Sequence, residues 1–286
     1  MEVLYRRCAG LDVHRDTVVA CFRVVRRGRV TQHVETFSTL TADLERLAAS
    51  LAAQRITHVA HEATGVYWKP IWAVLAERFE LVLANAAQVK NLPGRKTDVN
   101  DAMWLADLLA HGLIRPSFVP EPRLQALREL TRTRKQFTRE KVSHGARIDK
   151  LLQAGNLKLG SVLSDILGQS GRAILAALAA GETDPERVAD RGCSPVRASR
   201  AQLRAGVHGR PRAPQRLLLR LHLPQSDTLE RAIADIDAEL AAGLAPFRAA
   251  VARLTTIPGV GDLAAAGIVC EGGVGLGRFP AAGAPV

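Results

Sequence analysis

The first hundred residues switch between two hydrophobic periods that cannot share one element, so the chain must build a layered fold. Residues 9–13 and 17–25 are short β-rich runs separated by the polar turn His14-Arg15-Asp16. A second turn, Arg26-Arg27-Gly28-Arg29, leads into a third such run at residues 30–37. Three consecutive β-rich runs with turns this short pair as an antiparallel meander. The period then changes. Leu40, Leu44, Leu47 and Leu51 fall at spacings of four, three and four, one apolar stripe of a helix over residues 39–51. A short strand at 57–60 runs into His61-Glu62, a helix follows at 68–78 with Ile71, Trp72 and Leu75 on one side, and residues 81–83 form another strand. Pro93-Gly94 breaks the chain before a helix at 98–111, with Gly112 placed as its C-terminal stop. The pattern predicts an α/β sheet layer flanked by helices.

Beyond Pro116, Pro120 and Pro122 the character becomes helical. Residues 124–152 read as one long, partly exposed helix rich in Arg. Residues 191–215, rich in Arg, Pro and Gly, are expected to be less ordered. Over 227–244 the residues Leu229, Ile233, Ile236, Leu240 and Leu244 alternate threes and fours like a coiled-coil seam, serving either dimerisation or packing within the chain.

Charge narrows the class of partner. The formal net charge of +11 is uneven: residues 123–150 hold nine Lys/Arg against three acids, and residues 191–220 hold eight Arg and no acid. Such an excess is the electrostatic footprint of a chain that meets phosphate backbones. No apolar run approaches the roughly 20 residues needed to cross a bilayer. The N-terminus has no apolar stretch with a cleavage site, so a cytoplasmic location without membrane is expected. Cys8, Cys21, Cys193 and Cys270 form no C-x-x-C pair and read as buried or incidental thiols rather than zinc ligands.

Four acids stand where phosphodiester chemistry would need them. Asp12 follows an apolar strand start, and its neighbours Leu11 and Val13 must point to the opposite face. Glu62 sits immediately after the strand at 57–60, and Asp98 and Asp101 lie three apart at a helix start, on one face. Carboxylates at adjacent strand ends are a scaffold for Mg²⁺ or Mn²⁺, which bind hard oxygen donors. Singly, each acid has an ordinary role: Asp98 alone reads as a helix cap, and Asp16, which competes with Asp12 but sits in the turn, also reads as a cap.

Three blocks, Gly10-Leu11-Asp12-Val13-His14, His61-Glu62-Ala63-Thr64-Gly65-Val66-Tyr67 and Lys96-Thr97-Asp98-Val99-Asn100-Asp101-Ala102, together resemble the signature blocks of IS110-type transposases. The resemblance covers roughly residues 5–155. It implies an RNase H-like (RuvC-like) domain there, an Asp-Glu-Asp-Asp metal site at Asp12, Glu62, Asp98 and Asp101, and a DNA transposase or recombinase activity. It also implies DNA as partner and a structured guide RNA in some members; a homo-oligomer is expected as well. Lys96 beside the acids, with Arg132, Arg134, Lys135 and Arg139 on the long helix, would then touch nucleic-acid backbones by charge.

Toward the end, Ile257-Pro258-Gly259-Val260-Gly261 has the form of a helix-hairpin-helix turn, in which Gly259 and Gly261 leave backbone N–H groups open to a phosphate. The same block resembles the start of the family's second domain. The expected organisation is therefore 5–155 nuclease domain, 156–250 basic helical connector and 251–286 partial C-terminal domain. The resemblance implies a serine nucleophile farther along, yet no serine follows Ser226, so a truncated chain is expected and no nucleophile is assigned. Two other readings use the same residues: a Holliday-junction-resolvase-like nuclease that needs only the acids and water, and a non-catalytic nucleic-acid-binding remnant.

Overall fold

The computed structural model describes residues 2–63, 65–91, 101–192 and 198–275. The chain divides into two compact units, Met1–Val119 and Pro120–Val286.

The first unit is a mixed sheet with helices on both faces. Its strands are β1 (Arg7–Val13), β2 (Thr17–Arg26), β3 (Arg29–Ser38), β4 (His58–Glu62) and β5 (Glu80–Ala84), and its helices α1 (Thr41–Ala53), α2 (Trp68–Leu75), α3 (Ala86–Asn91) and α4 (Asp101–Ala110). The expected meander is present: β1, β2 and β3 pair antiparallel. The tight β2–β3 turn places Arg27 and Gly28 at φ 49° and 78°, the left-handed pair that matches strand twist in a two-residue hairpin. From β1 the sheet continues the other way through β4 and β5, both parallel to it, giving the order β3-β2-β1-β4-β5. This is a mixed α/β sheet compatible with the RNase H-like expectation.

Strand alternation splits the sheet into two faces. Ala9, Leu11, Val13, Val18, Ala20 and Phe22 join Leu44, Leu47, Leu51, Ile71 and Leu75 in the main core beneath α1 and α2. Cys8, Gly10 and Asp12 take the other face, where Cys8 packs with Ala60, Leu109 and Ala110 and Cys21 with Ala102 and Ala106. On that face α4 lies against the strand backbone at Gly10. A Cβ there would meet the Ala102 carbonyl oxygen at 2.2 Å and the Ala106 nitrogen at 2.4 Å. Only glycine permits that approach. The buried Arg23 donates from Nε to Asp107 Oδ1 at 2.7 Å, and Gln32 donates to the same oxygen at 3.1 Å, tying α4 to β2 and β3. Gly112, at φ 67°, follows α4 at the expected stop.

The second unit is helical. Its elements are α5 (Pro122–Ala154), α6 (Leu159–Val162), α7 (Gln169–Ala180), α8 (Pro185–Ala189), α9 (Arg200–Gly206), α10 (Ala213–Gly243), α11 (Arg248–Leu254) and α12 (Asp262–Gly272). Helices α5 and α10 run antiparallel, as the ion pairs Arg134–Asp237 and Lys141–Glu230 (2.9 Å) require. Leu124, Leu127, Leu240 and Val269 form one core; Ile148, Leu152, Ile174, Leu175, Leu178 and Leu219 belong to another. Part of the 227–244 stripe packs within the chain, since Ile236 and Leu244 join the first of these cores beside Leu240.

Three expectations shift. Glu62 is the last residue of β4 rather than the residue after it, because parallel pairing continues through Glu62↔Ala84. The 227–244 helix begins at Ala213 and passes Pro224, as packing on both flanks outweighs the lost backbone donor. Residues 191–215 are not uniformly irregular: a capping box between Ser199 and Gln202 starts α9. The Arg210 N–H also donates to the Gly155 carbonyl at 3.1 Å.

Gly10→Val should be among the most damaging single changes in the first unit. A loss of about 3 kcal/mol is expected from forced separation of α4 and β1, read as a lower urea midpoint against a control at an exposed site such as Gly28→Asn. Equal midpoints would show that α4 does not depend on this approach.

Candidate active site

Asp12 and Glu62 stand at the carboxyl ends of β1 and β4, which pair in parallel with Leu11 opposite His61. They share a face. Asp12 lies on the Cys8–Gly10 side, and Glu62 lies on the side of Ala60, which packs with Cys8 under α4. The side chain of Asp12 is 24% exposed and its Oδ2 lies 3.2 Å from His14 Nε2. Glu62 and Asp101 are part-buried and both engaged in interactions. Asp101 opens α4, the helix seated on Gly10 of the Asp12 strand. Sheet and helix thus bring three of the four predicted acids to one end of one face. Asp98 and Lys96 lie outside the described residues. Among the described residues, no three His, Cys, Asp or Glu side chains form a group that could hold a metal ion. The donors themselves, hard carboxylate oxygens at the carboxyl ends of strands, fit a divalent cation such as Mg²⁺.

Behind Glu62, His61 points to the opposite face and is fully buried. It sits against Trp68 and Trp72, with ring centroids at 6.3 and 5.7 Å. Neither ring nitrogen has a hydrogen-bond partner among the described residues. Burial lowers its pKa to about 4, so the ring is neutral at pH 7. Set against these two tryptophans of α2, the ring serves packing.

The basic residues separate into engaged and open cations. Arg132 donates twice to the Glu271 carboxylate, at 2.8 and 2.9 Å, and Arg134 twice to Asp237. Arg128 donates to the Cys270 and Glu271 carbonyls, which fastens α12 to α5. Lys135 and Arg139 are exposed, one helical turn apart, and neither pairs with a carboxylate of the described residues. At the C-terminal turn, Gly259 adopts φ 87° and Gly261 caps α12, with open space at both Cα positions.

Sequence reasoning missed two parts of this site's support: Gly10 as the seat of α4, and the Arg23–Asp107 pair. A glycine inside an apolar strand was the available signal for the first. Nothing local in the sequence marks the second, whose partners are 84 residues apart.

A family model described as Transposase (DEDD_Tnp_IS110) matches residues 9–156. That span is more than half of the 286 residues, and the chain belongs to this family of IS110 transposases. No curated protein matches the chain. No helix of the described residues is long and apolar enough to cross a membrane.

The His61 environment gives a pH test of the fold behind the site. Its folded pKa lies below the ordinary 6.5, so the stability tied to the neutral ring is complete above pH 6.5 and is lost as pH falls toward 4. Roughly 3 kcal/mol should disappear across that window, measured by urea unfolding at stepped pH, and His61→Leu should flatten this part of the profile.

Proposed function

We propose that the chain is a metal-dependent DNA strand-cleaving and strand-joining transposase whose first unit is an RNase H-like nuclease centre. The observation that carries this reading is the placement of Asp12 and Glu62 on one face at the ends of neighbouring parallel strands, beneath a helix that begins with Asp101. Asp12, Glu62, Asp98 and Asp101 would hold Mg²⁺ or Mn²⁺. When bound, the ions supply Lewis acidity that stabilises the attacking and leaving oxygens of a phosphodiester.

The chain's own residues set the conditions. Asp12 and Glu62 leave the sheet on backbone that cannot shift without breaking the β1–β4 ladder, so their separation is preset. The α4 seat at Gly10 holds Asp101 over the same strand end. His14 Nε2 lies 3.2 Å from the Asp12 carboxylate and restrains its orientation. Lys135 and Arg139 offer charge without base readout, which suits a backbone contact with DNA or with a structured RNA. The C-terminal turn with Gly259 and Gly261 presents the start of α12 in the way a helix-hairpin-helix meets a phosphate. The serine nucleophile that the family implies is not assigned to a residue here.

Asp12→Asn and Glu62→Gln should each abolish Mg²⁺-dependent cleavage of supercoiled or branched DNA while salt-sensitive binding survives. Unchanged cleavage in both variants would refute the acid-site assignment. Cleavage without any covalent protein–DNA adduct would favour the resolvase-like reading.

Reversing the open cations should act on binding alone. Lys135→Glu with Arg139→Glu should lower the slope of log affinity against log salt by roughly one per residue, with a similar loss for every DNA sequence tried. Filter binding across a salt series measures it, and an unchanged slope would remove this face of α5 from the interface.

A further inference from the structure

Among the described residues, no strand pairs with the outer edge of β3. This strand lies at the end of the sheet and pairs with β2 without interruption from Arg26↔Arg29 to Thr17↔Ser38. Its ten residues contain no proline. Which of its main-chain groups face outward follows from neighbouring bonds. The His14 N–H donates to the Thr17 carbonyl at 2.9 Å and the Val25 N–H to the Arg6 carbonyl at 2.8 Å, so odd-numbered β2 residues bond toward β1. Antiparallel pairing alternates, leaving Ala20, Phe22 and Val24 to bond toward β3, at Glu35, His33 and Thr31. The N–H and C=O groups of Val30, Gln32, Val34 and Thr36 therefore point away from the sheet. The side chains add an apolar signal, with Val30 51% and Val34 39% exposed. A long, regular strand edge of this kind is a template for another strand.

We propose that this edge is an interface for a second copy of the same chain, formed by antiparallel pairing of β3 with β3 about a two-fold axis at Gln32. The sequence of the strand is self-complementary in that register. Val30 comes opposite Val34 of the partner subunit, and Gln32 opposite its own copy, so the outward-facing groups meet one another. Between them, in the closer non-hydrogen-bonded positions, Arg29 comes opposite Glu35 of the partner subunit, and symmetry repeats the pair. An axis at Val34 instead would leave Arg29 facing nothing in the strand and set Glu35 against His33. An axis at Val30 would carry Glu35 past the strand end. Only the Gln32 register uses both valines and both charges. Closed two-fold association is also the commonest symmetry of soluble oligomers. The inference stands on the strand alone and does not depend on the acid site.

Sedimentation equilibrium of the full chain, free of nucleic acid, tests it. Wild type should show a monomer–dimer equilibrium. Val34→Pro removes an outward N–H and no bond to β2, and should shift the protein to monomer with its melting temperature kept. Glu35→Arg sets like charges opposite each other twice and should weaken the dimer roughly tenfold. The double variant Arg29→Glu/Glu35→Arg restores opposite charges and should recover wild-type association, a rescue that a folding defect would not give. A wild type that stays monomeric throughout would overturn the proposal, and so would a dimer indifferent to Val34→Pro and to the charge series.

Discussion

The close approach of α4 to β1 at Gly10 is the constraint on which the first unit's candidate site depends. Removing one side chain lets the helix backbone rest on the strand backbone, with Ala102 and Ala106 at the contact. Small residues on both partners bring the start of α4, and Asp101 with it, down to the strand that ends in Asp12. The Arg23–Asp107 pair then ties the helix to the meander side of the sheet. Arg23 is almost completely buried, an expensive place for a guanidinium, and a buried charge with a hydrogen-bonded partner tolerates little displacement. Close packing sets the height of α4, and the ion pair sets its rotation.

Charge has a double role in the second unit. The chain is strongly basic, yet many of its arginines are held by its own acids. Arg132 is engaged by Glu271, Arg134 by Asp237, and Arg172 by Asp227 and Glu230. The acid-free run at 191–220 is similar: Arg200 and Arg204 reach back to Asp190 and Glu186, just outside it. A count along the chain therefore overstates the surface available to phosphate. Lys135 and Arg139 retain that availability, since both are exposed and neither pairs with a carboxylate of the described residues.

Much of the fold was legible in the amino-acid order because it depends on period. The meander runs, the α1 stripe, the Gly112 stop and the long α5 helix all follow from spacings within one element, where local sterics decide. The acids could be singled out for the same reason: Leu11 and Val13 commit Asp12 to the opposite face, and Asp98 and Asp101 are spaced three apart in the sequence. The misjudged places were those where distant packing outweighed local propensity. The Arg-, Pro- and Gly-rich stretch at 191–215 was expected to be less ordered, but the Ser199–Gln202 capping box and the Arg210 bond to Gly155 order its described parts.

By itself, then, the sequence determined which residues lie on which face of each strand and helix, since side-chain alternation is a property of the backbone. It also determined the membership in the IS110 transposase family, through three short blocks around the acids. Only the tertiary structure decided that β4 joins β1 in parallel beside Asp12, that α4 settles on Gly10, and which arginines are neutralised. Those outcomes depend on pairing between segments tens of residues apart, where the energy comes from surfaces that meet only once the chain has folded.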